Sequence, residues 1–425
     1  MTLLLKNARV VDPSQRLDAV RDVLVENGRI AKVAERITKE GAQVLDLSGL
    51  HVCPGFIDMH VHLREPGYEW KETIATGTRA AAAGGFTGIA CMPNTVPPID
   101  SRSVVEFVLA QARQHGTVRV YPIGCVSKGQ MGEELAEMGD MAIAGARGFS
   151  DDGKPVASAG LMRRALEYAR IFDLPVIDHC EEPTLVAGGV VHEGEVSTRL
   201  GLKGWPGVAE DLMVQRDVLL AQYTGGSVHI AHMSTARSAE IVRRAKREGI
   251  KVTCEVTPHH LVLEQSAVAG YDTNAKMNPP LRTEPDRAAL VEALADGTVD
   301  AIATDHAPHH ADEKCVEFSL APFGVVGLET AVSLALDRLV HEGRLPLTRL
   351  VELFTTGPAR VLRLDKGTLA VGVDADLTVL DVDREFKVDP EAFRSKSANT
   401  PFGGWTLRGG PVMTIVGGRI VHDAR

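Results

Sequence analysis

The sequence predicts an α/β fold: a (β/α)8 TIM barrel carrying a small β-sandwich domain built from both chain ends. Three observations carry this. Eight short apolar runs alternate with helical stretches through the middle of the chain, both termini read as β instead, and histidines and acids recur at the ends of the apolar runs. Strand alternating with helix implies parallel strands joined by right-handed crossovers. Eight such runs suit a barrel better than an open doubly wound sheet, which usually needs fewer strands. No G-x-G-x-x-G follows the first run, which counts against a dinucleotide site.

The elements follow in order. Leu3 to Val11 is apolar and ends at Asp12-Pro13, and Asp22 to Val33 carries Asn27-Gly28 between apolar stretches, a hairpin signal. The barrel runs are Phe56–His60, Gly88–Met92, Val118–Tyr121, Arg147–Ser150, Val176–His179, Val228–His232, Lys251–Val256 and Ala301–Asp305. Helices are expected at Lys71–Ala83, Ser103–His115, Gly160–Ile171, Asp211–Tyr223, Ala236–Glu248 and Glu284–Ala295. At the far end Ala375 to Val382 is strand-like, and Val412 to Val421 is interrupted by Gly417-Gly418. Neither terminal piece has enough strands to bury a face alone, so the two are expected to form one domain, 1–53 with 364–425, beside a barrel spanning 54–363.

Composition removes several classes of function. The 425 residues carry 46 basic and 56 acidic side chains, a net charge of −10, with no basic stripe for nucleic acid. No run of about 18 apolar residues exists to span a membrane, and Met1 to Asn7 reads as a strand rather than a signal peptide. The six cysteines form no C-x-x-C pair and are expected to be reduced and buried, as in a cytoplasmic protein.

The strongest local feature is Gly55-Phe56-Ile57-Asp58-Met59-His60-Val61-His62. Strand side chains alternate, so His60 and His62 point to one side. At the carboxyl end of a first barrel strand that side is the mouth, where such folds place their active sites. The fifth run ends in Asp178-His179, the sixth in His229-Ile230-Ala231-His232, and the eighth in Thr304-Asp305. A lone histidine at a strand end is more often structural, but ligand-type residues at matching ends of four strands are hard to obtain by chance. Imidazole with carboxylate suits Zn²⁺, and three or fewer protein ligands per metal leave a position for water. His229 is expected on the face opposite His232, and His51, His115, His341 and His422 sit in contexts that suggest no role.

The segment His60-Val61-His62-Leu63-Arg64-Glu65-Pro66-Gly67 resembles the metal motif of the amidohydrolase superfamily, and within it of the class I dihydroorotases. Met92-Pro93-Asn94-Thr95, Phe149-Ser150-Asp151-Asp152-Gly153, Lys276 to Arg282, Thr304 to His309, Ala321 to Gly324 and Gly327 to Thr330 extend the likeness over essentially the whole chain. The resemblance implies reversible closure of N-carbamoyl-L-aspartate to L-dihydroorotate with loss of water, in pyrimidine synthesis, with two zinc ions per chain. It makes His60 and His62 ligands of one zinc and His179 and His232 ligands of the other. Asp305 matches the last ligand and the proton shuttle.

Many superfamily members bridge the metals with a carboxylated lysine at the end of strand four, where this chain has Asp151-Asp152. The match makes Asp152 the bridge, although periodicity alone does not choose between the two aspartates. Lys154 lies two positions on, beside Pro155, and is expected too deep in the turn to reach the metals. His62, Arg64, Asn94, Asn278 and His309 resemble the substrate-binding set, with the backbone around Phe323-Gly324 closing the ring pocket. Hydantoinases, dihydropyrimidinases and allantoinases are the competing enzymes, but they usually carry the bridging lysine. A catalytically silent barrel would lack ligands that are all present here. A homodimer is expected. Some members also work with aspartate transcarbamoylase, and the charged stretch from His309 to Phe318 is the element such a partner would order.

Overall fold

The computed structural model describes residues 2–425. The two chain ends meet in one eight-stranded sheet. Its order runs Arg419–Asp423, Thr406–Val416, Leu377–Lys387, His51–Pro54, Thr2–Asp12, Leu17–Glu26, Arg29–Ala34, with Gln43–Asp46 also pairing Thr2–Asp12. The ends join where Val379 lies opposite Val52, antiparallel. Asn27 and Gly28 both have positive φ (52° and 76°), closing Glu26 onto Arg29 as the Asn-Gly signal requires. One face of this sheet buries its own apolar cluster, including Leu3, Leu5, Val10, Val23, Val52, Leu377, Val379 and Ile415. The last strands run longer than their apolar pattern suggests. Asp383, Arg384 and Glu385 extend one into solvent past a register shift, so alternation cannot reveal them.

The middle of the chain holds two larger parallel sheets and a two-stranded parallel pair, Val191–His192 with Gly204–Trp205. Of the larger two, one comprises Phe56–Val61, Phe86–Cys91 and Arg119–Pro122; the other comprises Val176–Asp178, Val228–Ile230, Val252–Val256 and Ala301–Ile302. The expected strand Arg147–Ser150 is reduced to Phe149, which makes single parallel bridges to Gly124 and Val176. Its backbone still pairs on both sides: Arg147 donates to Pro122, Gly124 to Gly148 and Ser150 to Gly124, while Phe149 donates to Pro175 and Ile177 to Phe149. Just beyond it the Asp151 carboxylate accepts the backbone N–H groups of Val126 (2.9 Å) and Ser127 (3.0 Å).

The six expected helices form at Ile74–Ala83, Arg102–His115, Ala159–Ala169, Val208–Thr224, Ala236–Arg247 and Glu284–Ala295. The first starts later than expected because Thr73 caps it, accepting from the N–H of Thr76. All six cysteines are free; five are buried, but Cys315 is exposed, contrary to expectation, because it follows the short helix Ala311–Lys314 on the surface. Among the described residues no helix is long and apolar enough to cross a membrane.

Candidate active site

Ile57 and Met59 pack in an apolar cluster with Ala90, Met92, Ile123, Ile177, Ala231, Ala301 and Ala303, drawn from both larger parallel sheets. Strict alternation would then turn His60 to the other face. The strand's register against Phe86–Cys91 shifts between Asp58 and Val61, and this irregularity re-aims the histidines. His60 and His62 thereby reach the carboxyl ends of the strands, both buried.

Asp152 is the hub. Its Oδ1 lies 3.3 Å from His60 Nε2, 3.6 Å from His179 Nδ1 and 3.6 Å from His232 Nε2, while its Oδ2 lies 3.5 Å from His62 Nε2. Asp305 Oδ1 adds contacts to His62 Nε2 at 3.0 Å and His60 Nε2 at 3.6 Å. Five residues from distant parts of the chain thus form two overlapping groups, His60–His62–Asp305 and His60–Asp152–His232, with His179 beside Asp152. His232 and Asp305 have left-handed backbone (φ 29° and 48°), as does Arg64 (φ 63°). Such φ is uncommon outside glycine and ends each strand with the side chain swung into the mouth. The neighbouring Asp151 faces away from the cluster, its carboxylate accepting from the backbone of Val126 and Ser127. Lys154 points away, donating to the Gln130 carbonyl at 3.2 Å.

The residues fit a cation. His60 Nε2 and Asp152 Oδ1 face each other, buried and without hydrogen-bond partners, and unpaired buried polar atoms are costly unless something fills the space between them. The electrostatics agree. Burial opposes charge on Asp152, yet His60, His179 and His232 hold its carboxyl well below the ordinary range. Burial likewise opposes a charged His60, but Asp152 and Glu255 raise it well above its usual value. The pocket favours positive charge at the place where a metal ion would sit.

Two carboxylates that sequence reasoning missed orient these histidines. Glu255, in the strand Val252–Val256, accepts from His60 Nδ1 at 2.6 Å and lies 3.3 Å from His229 Nε2. Burial would raise it, but His60 and His229 bring it down to about 2. A carboxylate behind a ligand histidine fixes its ring and tautomer. So His229 does lie away from the cluster, as expected, but it is tied to it through Glu255. Glu181 lies 2.9 Å from His179 Nε2. A buried acid inside Val-Thr-Cys-Glu-Val was the available signal for Glu255.

The expected substrate residues line the same mouth. Among described contacts the Arg64 guanidinium engages the protein only through Nε, 3.3 Å from the Pro308 carbonyl. Burial lowers it to about 10, so it stays charged at neutral pH. Asn94 accepts from His62 Nδ1 at 2.8 Å, and Asn278 donates to Glu181 at 3.1 Å. A Cβ at Gly153 (φ 86°) would stand 3.0 Å from Asn94 Nδ2. His309 is already engaged at both nitrogens: Nε2 with the Phe323 carbonyl at 2.8 Å, Nδ1 with Lys71 Nζ at 3.3 Å. Burial, then Arg64 and Lys71, push it down to about 2, so it is neutral. In this structure it braces Phe323 and Gly324. The charged stretch after it is folded, with Lys314 Nζ donating to the carbonyls of Thr273 (3.0 Å) and Pro322 (2.8 Å).

Comparison with known proteins places this geometry. Residues 49–238 match the family described as dihydro-orotase-like, and residues 221–422 match the amidohydrolase family. A dihydroorotase of Pelotomaculum thermopropionicum is 57% identical over 425 residues, covering 100% of this chain and 99% of that protein. One from Geobacter sp. (strain M21) is 55% identical over 425 residues, covering 100% of both. Among solved structures, the L-hydantoinase (dihydropyrimidinase) of Arthrobacter aurescens superposes with a TM-score of 0.90 at 29% identity, covering 99% of this chain and 96% of that one.

Proposed function

Because this chain belongs to the dihydroorotase family of amidohydrolases, and is a hydrolase of cyclic amide bonds, we propose that it interconverts N-carbamoyl-L-aspartate and L-dihydroorotate at a two-zinc site around Asp152. The observation that carries the reading is the convergence of four histidines on the two oxygens of Asp152, with Asp305 against His60 and His62. In it His60, His62 and Asp305 would hold one ion, His179 and His232 the other, with Asp152 shared between them. Bound zinc supplies Lewis acidity and lowers the pKa of water from 15.7 to roughly 7.

This chain's residues do the rest. Arg64 offers a guanidinium fork to the substrate carboxylate, a two-bond grip that lysine lacks. In ring opening Asp305 receives the proton of the attacking water and returns it to the departing ring nitrogen; in closure it takes the proton of the ureido nitrogen and passes it to the departing carboxylate oxygen, which leaves as water with a second proton from solvent. Asn94 turns its amide nitrogen to the pocket because its oxygen is held by His62. His309, Phe323 and Gly324 wall the ring.

The parallel bridges of Phe149 to Gly124 and Val176, and of Val61 to His306, support closure of the two sheets into a (β/α)8 barrel at 54–363. The separate apolar core of the terminal strands supports a composite β domain of 1–53 and 364–425. A small-molecule substrate, a cytoplasmic location and a homodimer belong to the same reading. Aspartate transcarbamoylase is a candidate partner, and light scattering with and without it tests both assemblies.

The deciding experiment assays the purified chain on dihydroorotate, carbamoyl aspartate, hydantoin and allantoin. Turnover is expected on the first two only; preference for hydantoin or allantoin would replace the reading. A second expectation concerns the bridge. A carboxylated lysine forms from neutral amine and CO₂, whereas an aspartate, with a reference pKa of about 3.9, is already ionised. Metal-stripped protein should therefore recover equally with Zn²⁺ in CO₂-free and bicarbonate buffer. A bicarbonate requirement, or added mass on Lys154, would assign the bridge to that lysine instead.

A further inference from the structure

We propose that Glu181 is a positioning residue whose one carboxylate sets both the tautomer of His179 and the orientation of the Asn278 amide, so that Asn278 presents an acceptor and selects a substrate N–H. The inference rests on the reading of the site given above. A single oxygen, Oε2, lies 2.9 Å from His179 Nε2 and 3.1 Å from Asn278 Nδ2. An ionised carboxylate accepts hydrogen bonds and donates none. His179 Nε2 must therefore carry the ring hydrogen, which leaves the lone pair on Nδ1, the nitrogen 3.6 Å from Asp152 Oδ1.

The same logic decides the amide. The two ends of an asparagine amide differ only in what they can donate, and their assignment depends on the partner. Only the NH₂ end can approach Glu181, so Oδ1 faces the other way, where it is buried and has no partner. A buried acceptor in that position is complementary to an N–H and repels a carboxylate. The ring of dihydroorotate carries two N–H groups as well as an anionic carboxylate. Asn278 is thereby assigned to an N–H, and the carboxylate is left to Arg64. The site discriminates by what each end of the substrate can donate.

The test compares holoenzyme variants Glu181→Gln, Glu181→Ala and Asn278→Ala, using dihydroorotate as substrate and its N1-methyl and N3-methyl derivatives as competitive inhibitors. Wild type is expected to bind one methyl derivative roughly ten- to hundred-fold less well than dihydroorotate, the cost of leaving a buried acceptor without its donor. Glu181→Gln should keep that preference, because its carbonyl oxygen can accept from both partners. Glu181→Ala and Asn278→Ala should each lose most of it, with KM for dihydroorotate raised about ten-fold. The double variant should have a KM no worse than Glu181→Ala. Zinc affinity should fall by roughly 10–100-fold in Glu181→Ala and stay unchanged in Asn278→Ala. A purely structural brace would move KM without changing the preference between methylated and unmethylated rings. Retention of that preference in Glu181→Ala or Asn278→Ala overturns the proposal while leaving the dihydroorotase reading intact, whereas a wild type inert toward dihydroorotate removes both.

Discussion

Replacing Asp152 with alanine is expected to bring bound metal from two equivalents per chain to less than one and to lower turnover by roughly 10³-fold or more. Four histidine nitrogens point at its two oxygens, at 3.3 to 3.6 Å. Without it the four imidazoles remain close together with no shared negative charge to hold a cation between them. Losing the metal removes several kcal/mol of charge stabilisation in the transition state, and each 1.36 kcal/mol is tenfold in rate. Elemental analysis beside a turnover assay checks both parts. Asp151→Ala is the control with a different signature: its carboxylate holds the Val126 and Ser127 backbone, so it should cost stability before metal.

Asp305→Asn is expected to cut turnover by roughly 10²–10⁴-fold, the usual contribution of a positioned general acid–base group, with little change in KM. Asparagine keeps the shape and one oxygen that can face His62, now 3.0 Å from Asp305 Oδ1, but it cannot carry the proton between water and ring nitrogen. Some metal should therefore remain, since Asp152, His60 and His62 still converge. Steady-state kinetics on the metal-loaded variant measure this directly, and near-normal turnover would take Asp305 out of the proton path.

Much of the site was legible because its residues sit at strand ends, where a two-residue spacing and an apolar run before it constrain direction. The strand-end positions alone single out His60, His62, His179, His232 and Asp305 as candidates. What stayed hidden depended on loops and on distant partners. The choice between Asp151 and Asp152 turns on which carboxylate the backbone of Val126 and Ser127 captures, a contact that no periodicity encodes. Glu255 reads as one acid in an apolar strand, and its meaning appears only when His60, distant in sequence, is laid against it. Even the convergence of His60 and His62 with the rest needs a register shift after Asp58 that alternation does not announce. The fourth run, Arg147–Ser150, keeps backbone hydrogen bonds to both neighbours but makes only single bridges there, at Phe149. The contacts of His309, to the Phe323 carbonyl at one nitrogen and Lys71 at the other, also depend on residues distant in sequence.

The most direct test is a zinc titration of verified metal-free protein, with turnover of dihydroorotate measured at each addition. Turnover should be absent at the start, rise with added zinc and level off at two equivalents per chain. Full turnover before any zinc is added would contradict a metal-dependent dihydroorotase built around Asp152.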